Sequence, residues 1–229
     1  MKQTSSKIFS GLAQSYDAAL DIATLYQDRH WKRWAVQRMG IQEGDLVLDI
    51  GCGTLRLEEG LAGWKCRFVG LDLAPEMVRR GMGKRIPGVA LLVNSDAESL
   101  PFPDGSFDSV VSCYVPKYVD IGRFTDELAR VSKPGAMVLL YDFARPRGPV
   151  SPLLELYIQG GLRVVGLALS LAKREEAFTF SNLPWIIEQT TWDRDIVGTM
   201  EEKGFETIRT ARFAGGVVFA YSGRKRGSP

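Results

Sequence analysis

Short apolar runs alternate with amphipathic stretches along most of the chain, and turns bearing glycine or proline separate them. Residues 46–50 are apolar and β-rich, which predicts a buried parallel strand. Gly51 and Gly53 allow a tight turn, and leucines at 55, 57 and 61 predict a helix over 55–61. Residues 67–71 predict a second strand that ends against Asp72. Pro75 suits the first position of a helix whose apolar face begins with Met77 and Val78, and Pro87-Gly88 closes that region. Residues 90–93 then predict a third strand, 96–102 a loop, and 107–113 a fourth strand. An amphipathic helix is expected over 124–131, stopped by Lys133-Pro134-Gly135 and followed by a fifth strand over 136–141. Residues 192–203 read as a helix ended by Gly204, and 205–210 with 216–221 as a terminal hairpin.

Strands that alternate with helices until a last hairpin predict an α/β fold. It is a doubly wound, mostly parallel seven-stranded sheet with an antiparallel C-terminal hairpin strand at its edge. Residues 145–191 form an insertion too long for a simple loop, expected to be a helical lid. No internal repeat or low-complexity tract interrupts the pattern.

Composition narrows the function classes. The 229 residues suit one domain, 1–229, with a substantial core. Hydrophobic residues at 45% and charged residues at 24% match a soluble globular protein. A net charge of +2 lacks the clustered basic face that a polyanion demands, so no nucleic-acid partner is expected. Cys52, Cys66 and Cys113 lack ligand spacing and His30 is the only histidine, so no metal is expected. Reduced thiols point to a cytoplasmic protein, and residues 1–10 hold no apolar core of signal-peptide length. The most apolar stretch, 150–172, is broken by Glu155, Gln159 and Arg163, whereas a membrane span wants about twenty nearly uncharged residues. Peripheral membrane contact, helped by Arg145, Arg147 and Arg224-Lys225-Arg226, is the most it supports.

A strand, a glycine turn, a helix and a second strand ending in an acid describe a nucleoside site, with Asp72 placed to accept bonds from a ribose diol. A dinucleotide turn needs a third glycine where this chain has Arg56, and no phosphate-binding Gly-x-x-x-x-Gly-Lys motif is present. An ordinary glycine turn after a core strand would look alike locally; the distance to Asp72 favours a cofactor. The run Asp49-Ile50-Gly51-Cys52-Gly53-Thr54 resembles motif I of the class I S-adenosylmethionine-dependent methyltransferases. The stretch from Asp96-Ala97-Glu98 through Leu100-Pro101-Phe102 to Phe107-Asp108 is similar to one shared by the ubiquinone and menaquinone C-methyltransferases. Tyr16-Asp17 through Trp31-Lys32-Arg33, and Gly204-Phe205-Glu206 followed by Gly216-Val217-Val218, resemble the two ends of that family, so the likeness covers nearly the whole chain.

The resemblance implies a Rossmann-like methyltransferase fold, S-adenosyl-L-methionine as cofactor, and a helical cap over the substrate in residues 1–40. It implies cofactor contacts at Asp49, Gly51, Gly53, Thr54, Asp72, Asp96, Ala97 and Cys113, with Asp96 accepting from the adenine amino group. Met77 would pack against adenine as a polarisable surface, although a helix methionine is as often plain core and a strand cysteine usually only a small hydrophobe. Three departures bear on function: Leu55 replaces a small residue and is expected to crowd the cofactor's methionine end, Lys117-Tyr118 replaces an arginine-asparagine pair, and Asp28 replaces a histidine. The implied reaction is C-methylation of a prenylated quinol ring, with Lys117 as the catalytic candidate stabilising a phenolate, and Tyr16 and Tyr118 as substrate contacts. A lipid amine or another small apolar acceptor is the alternative, and a non-catalytic partner with a cofactor fold a third.

Overall fold

The structure, a computed structural model, describes Phe9, Ala13 and residues 16–61, 63–147, 149, 151–171 and 176–227. Seven strands make one sheet: β1 (Leu46–Ile50), β2 (Arg67–Asp72), β3 (Val89–Asn94), β4 (Phe107–Cys113), β5 (Ser132–Phe143), β6 (Phe205–Phe213) and β7 (Val218–Lys225). Their order is β3-β2-β1-β4-β5-β7-β6. Strands β1 to β5 pair in parallel, and β7 is antiparallel to both of its neighbours.

The parallel seven-stranded sheet expected from the alternation is present, but the antiparallel strand lies one place in from the edge. Composition explains the placement. Val218-Phe219-Ala220-Tyr221 is buried without interruption in β7, whereas β6 carries Glu206, Arg209 and Thr210 exposed and so takes the edge. The helix before Lys133-Pro134-Gly135 ends at Val131, as expected, but those residues do not separate it from the next strand. Ser132 already pairs with Phe107, and the register is restored at Met137 opposite Ser109, so the breakers form an irregularity inside β5.

Helices cover both faces: α1 (Tyr16–Ala23), α2 (Asp28–Val36), α3 (Arg56–Gly60), α4 (Pro75–Lys84), α5 (Ile121–Val131), α6 (Ser151–Leu156), α7 (Leu162–Leu171), α8 (Glu176–Gln189) and α9 (Trp192–Glu202). Alternate strand residues divide the core in two. Val47, Val111, Leu139 and Tyr141 face Ala35 and Val36 of α2, Leu57 of α3, and Ile158, Leu162, Leu183 and Ile187 of the insertion. Leu48, Ile50, Val110 and Leu140 face Phe124 and Leu128 of α5 and Trp192, Ile196 and Met200 of α9. Helix α5 has its N-terminus capped by Asp120, which accepts from the Arg123 amide at 2.9 Å. Lys225 Nζ donates to Ala129 O and Ser132 O at its other end.

The expected insertion is helical. Helices α6 and α7 run on through a π-turn over Tyr157–Gly161 and pack with α8. Its buried side chains join the core, and none of its described residues lines the central cleft. Val150 and Ala172, the ends of the apolar stretch, and residues 1–8 of the expected cap lie outside the described residues. Among the described residues no helix is long and apolar enough to cross a membrane.

Candidate active site

The strand order reverses between β1 and β4, and a cleft opens there at the carboxyl ends of the strands, where open α/β sheets bind ligands. It encloses about 970 Å³, part of it open to solvent. Gly51, with φ of 77°, sits where the loops after β1 and β4 touch: a Cβ there would stand 2.1 Å from Val115 Cγ2. The position therefore admits glycine for two independent reasons.

Asp49, Gly51, Gly53, Thr54, Asp72, Met77, Asp96, Ala97 and Cys113 all line this cleft, as do Tyr16 and Tyr118. Asp72 Oδ2 accepts from the Gly53 amide (2.9 Å) and Oδ1 from the Ala74 amide (2.8 Å), so the acid fixes the glycine loop while facing the cleft. Burial holds its carboxyl above the usual range, against the pull of those amides. Asp96 accepts from the Glu98 amide at 2.9 Å and so also caps its own loop. Leu55 does not crowd the cleft: its side chain is 1% exposed, outside the lining, and lies over Gly81 of α4.

Asp49 is a polar residue in an otherwise apolar β1, 2% exposed, and its Oδ1 has no hydrogen-bond donor. Beside it lies Glu58 of α3, also buried, with neither carboxyl oxygen served by a donor. Two facing carboxyls without donors share a proton. Burial pushes the Asp49 carboxyl up to about 6 and that of Glu58 well above its ordinary value. An orphaned acceptor on the cleft wall matches a cationic ligand group. Lys32 and Arg56, which also line the cleft, match an anionic one.

Arg56, whose side chain is 5% exposed, ties the amino-terminal helices to the glycine loop. It donates to the Asp17 carbonyl at 2.8 Å, pairs with Asp21, and approaches Asp28 Oδ2 with Nε at 3.5 Å. Thr54 Oγ1 donates to Asp17 Oδ1 at 2.7 Å, and Lys84 Nζ adds an approach to Asp17 at 3.4 Å. Arg56, Asp21 and Lys84 carry no motif and were not singled out from the sequence. The signal available was the acidic spacing of Asp17, Asp21 and Asp28 opposite one arginine.

Part of the cleft wall is aromatic. The Phe9 ring meets Tyr16 and Tyr118 edge-on, at 6.0 and 5.6 Å between centroids, which brings the two expected substrate contacts together. Lys117 departs from expectation. Its ammonium does not line the cleft, is 2% exposed, donates to Asp142 Oδ1 at 2.6 Å and to Tyr114 O at 3.0 Å, and lies 4.3 Å from the Tyr118 ring centre. A cation that stabilises a phenolate must reach it, and this one is committed to a buried carboxylate. Lys117 is thus a positioning residue for Tyr114 and Tyr118 rather than the catalytic group. Burial lowers its pKa and raises that of Asp142. Cys113 is buried, with its thiol pushed far up by desolvation, which makes it an apolar wall and not a nucleophile. Among the described residues no group of three His, Cys, Asp or Glu side chains could hold a metal ion.

Residues 1–225 match the family model described as the ubiE/COQ5 methyltransferase family. The chain is 32% identical to a demethylmenaquinone methyltransferase of Tropheryma whipplei, over 93% of this chain and 87% of that one. It is 31% identical to the ubiquinone/menaquinone biosynthesis C-methyltransferase UbiE of a Geobacter species, covering 95% and 94%. Among solved structures, an S-adenosylmethionine-dependent methyltransferase from Aquifex aeolicus superposes with a TM-score of 0.57 at 19% identity, covering 84% of this chain and 88% of that chain. The [4+2]-cyclase SpnF superposes with a TM-score of 0.63 at 13% identity, covering 87% and 81%, so the fold alone leaves the chemistry open. Sequence likeness across nearly the full length decides it: the chain belongs to the ubiE/COQ5 methyltransferase family.

Proposed function

We infer that this protein transfers a methyl group from S-adenosylmethionine to a ring carbon of a demethylated prenyl quinol. The observation that carries the reading is the make-up of one cleft. Its wall combines Asp72, the orphaned Asp49 and the cation Lys32 with the aromatic side chains of Phe9, Tyr16, Tyr114 and Tyr118. Asp72 and Asp96 would hold the ribose and adenine, Met77 would pack on the base, and Asp49 would face the α-ammonium. Lys32 is the cation available to the α-carboxylate, since Arg56 is taken up by Asp17 and Asp21. When bound, the cofactor supplies an electrophilic methyl group on a sulfonium. The protein's share is to hold a flat, apolar ring against it between tyrosines and to keep water out. The relatives named above as demethylmenaquinone and ubiquinone/menaquinone methyltransferases support a quinol as the acceptor.

We further propose that the insertion docks on the bilayer that holds a prenylated substrate. Leu153, Leu156, Tyr157, Val164 and Leu167 are exposed. Leu153, Leu156 and Tyr157 fall on one side of α6 and the start of its π-turn at about 100° per residue, and Val164 and Leu167 lie one turn apart on α7.

The test is incubation with labelled S-adenosylmethionine and a panel of demethylated quinols and lipid amines, with products read by mass spectrometry. A ring-methylated quinol is the expected product. Asp72→Ala is expected to weaken cofactor binding about tenfold or more, because charge-assisted bonds of roughly 1.5–3 kcal/mol are lost. Methylation of an amine with every quinol untouched would replace this reading with that of a lipid amine methyltransferase.

A further inference from the structure

Tyr114 directly follows β4 at the carboxyl edge of the sheet and lines the cleft. Its φ of 66° lies in the left-handed region, which bulky side chains avoid. Such strain persists where the surroundings over-determine it, and it concentrates at working sites. The surroundings here are specific. The Tyr114 amide donates to Tyr141 O at 2.7 Å, and its ring packs on those of Tyr141 and Phe143. Its hydroxyl donates to Asp28 Oδ1 at 2.6 Å. Asp28 is fully buried at the start of α2. Its other oxygen faces Lys32 Nζ at 3.3 Å and Arg56 Nε at 3.5 Å without a hydrogen bond to either. A buried carboxylate flanked by two cations thus accepts from the hydroxyl of a cleft-lining tyrosine.

The geometry points to Tyr114 as a catalytic residue that relays the proton of the acceptor's ring hydroxyl to Asp28. The inference rests on the quinol reading above. The ring O–H gives its proton to Tyr114 Oη while the Tyr114 proton passes to Asp28 Oδ1. The resulting oxyanion donates through the adjacent ring carbon, which forms the new C–CH₃ bond as the S–CH₃ bond breaks with its electron pair left on sulfur. That ring carbon then loses its proton to solvent, and the proton stored on Asp28 returns through Tyr114 to the ring oxygen. One proton is released per methyl transferred. Burial first, then Tyr141 and Asp28, holds the Tyr114 hydroxyl well above the usual phenol range, so the relay begins protonated. Tyr16, Tyr141, Lys32, Arg56, Asp49 and Lys117 are the titratable groups that surround it.

The test compares wild type with Tyr114→Phe, which keeps the ring and its packing, and with Asp28→Asn, which keeps the shape. Calorimetry with S-adenosylmethionine comes first, and unchanged affinity in Tyr114→Phe establishes that the cofactor end is intact. On an unsubstituted demethylated quinol, kcat of Tyr114→Phe is expected to fall by roughly 10²–10⁴-fold. The loss should shrink to a few-fold on a nitro-substituted quinol that is already ionised at neutral pH. Absorption of that bound nitroquinol gives a second readout, since loss of the Tyr114 hydroxyl as a donor to the oxyanion should move its ionisation to higher pH in Tyr114→Phe. Full activity of Tyr114→Phe on the unsubstituted quinol overturns the relay while leaving the methyltransferase reading in place. An equal loss on both acceptors also overturns it, because a merely structural role would not distinguish them. Wild type that binds cofactor but methylates no quinol overturns the quinol reading, and the relay with it.

Discussion

Leu55 holds a backbone conformation, φ 63° and ψ 35°, that glycine adopts freely and leucine does not. Its side chain compensates by filling the space over Gly81, where a Cβ would stand 2.9 Å from Leu55 Cγ. Position 81 is therefore coupled to position 55. Alanine in an exposed helix gains about 1 kcal/mol over glycine, whereas overpacking costs about 1–3 kcal/mol. Gly81→Ala should lower the melting temperature by several degrees, and adding Leu55→Ala to it should cost less than Leu55→Ala alone. Strict additivity in that cycle, read by thermal unfolding, would contradict the coupling. A second prediction concerns Asp49, which faces Glu58, Lys32 and Asp72 and ionises near pH 6. Its carboxyl is raised in the folded state, so the fold binds more protons than the unfolded chain, and this group's contribution to stability declines as pH rises from about 4 through 6. Cofactor binding follows the opposite sign, because a cationic group prefers the ionised pair. Affinity measured by calorimetry should rise about tenfold from pH 5 to pH 7 and flatten in Asp49→Asn. A flat wild-type profile would remove Asp49 from the cofactor site.

At the scale of elements, α1 and α2 are held over the glycine loop by charge as well as by packing. The fully buried residues of α2 are mixed: Ala35 and Val36 are apolar, but Asp28 and Lys32, one turn apart, are buried with them. Removing one member of a buried charged cluster leaves the others uncompensated, at a cost of about 3–5 kcal/mol. Arg56→Met should therefore expose amides across residues 16–36 to hydrogen exchange far more than those of β4 and β5. Uniform exchange across both regions would show that the helices stay in place without the arginine. The wording of α2 in the sequence suggested a cap, but its inward-facing Asp and Lys obey no hydrophobic periodicity. The glycine loop was legible because every part of it lies within one strand-turn-helix unit.

The proposed docking on a lipid surface is tested at the scale of the whole molecule. Arg224-Lys225-Arg226 was expected to add attraction to anionic lipid, yet its place in the sheet argues otherwise. Arg224 pairs with Met137, where the β5–β7 pairing begins, and the insertion follows Phe143 at the end of β5. Six residues at about 3.4 Å each put some 20 Å between them, on opposite edges of the sheet. Lys225 moreover caps α5 with its ammonium. Arg145 and Arg147, two of the insertion's basic residues, pair with Glu155 and Asp193, and Arg163 adds one exposed charge. Docking through the apolar side of α6 and α7 should therefore depend little on salt. In vesicle flotation, Leu156→Glu with Leu167→Glu should abolish binding, and raising the salt should not. Wild type that never floats, or floats only at low salt, would count against docking by this face.

Pattern and spacing along the chain determined the order of strands and helices, the glycine turn and the acid that closes it. These depend on residues within about twenty positions of one another, where backbone geometry leaves few choices. Tertiary structure alone decided the fate of the charged residues. Tyr114 meets Asp28 across 86 positions and Lys117 meets Asp142 across 25, and hydropathy would assign all but the tyrosine to solvent. A buried charge is stable only beside a partner that satisfies it, and that partner comes into reach only when helix and sheet edge pack together. The same reason separates Lys117, legible as a lysine beyond β4, from its position behind the cleft wall.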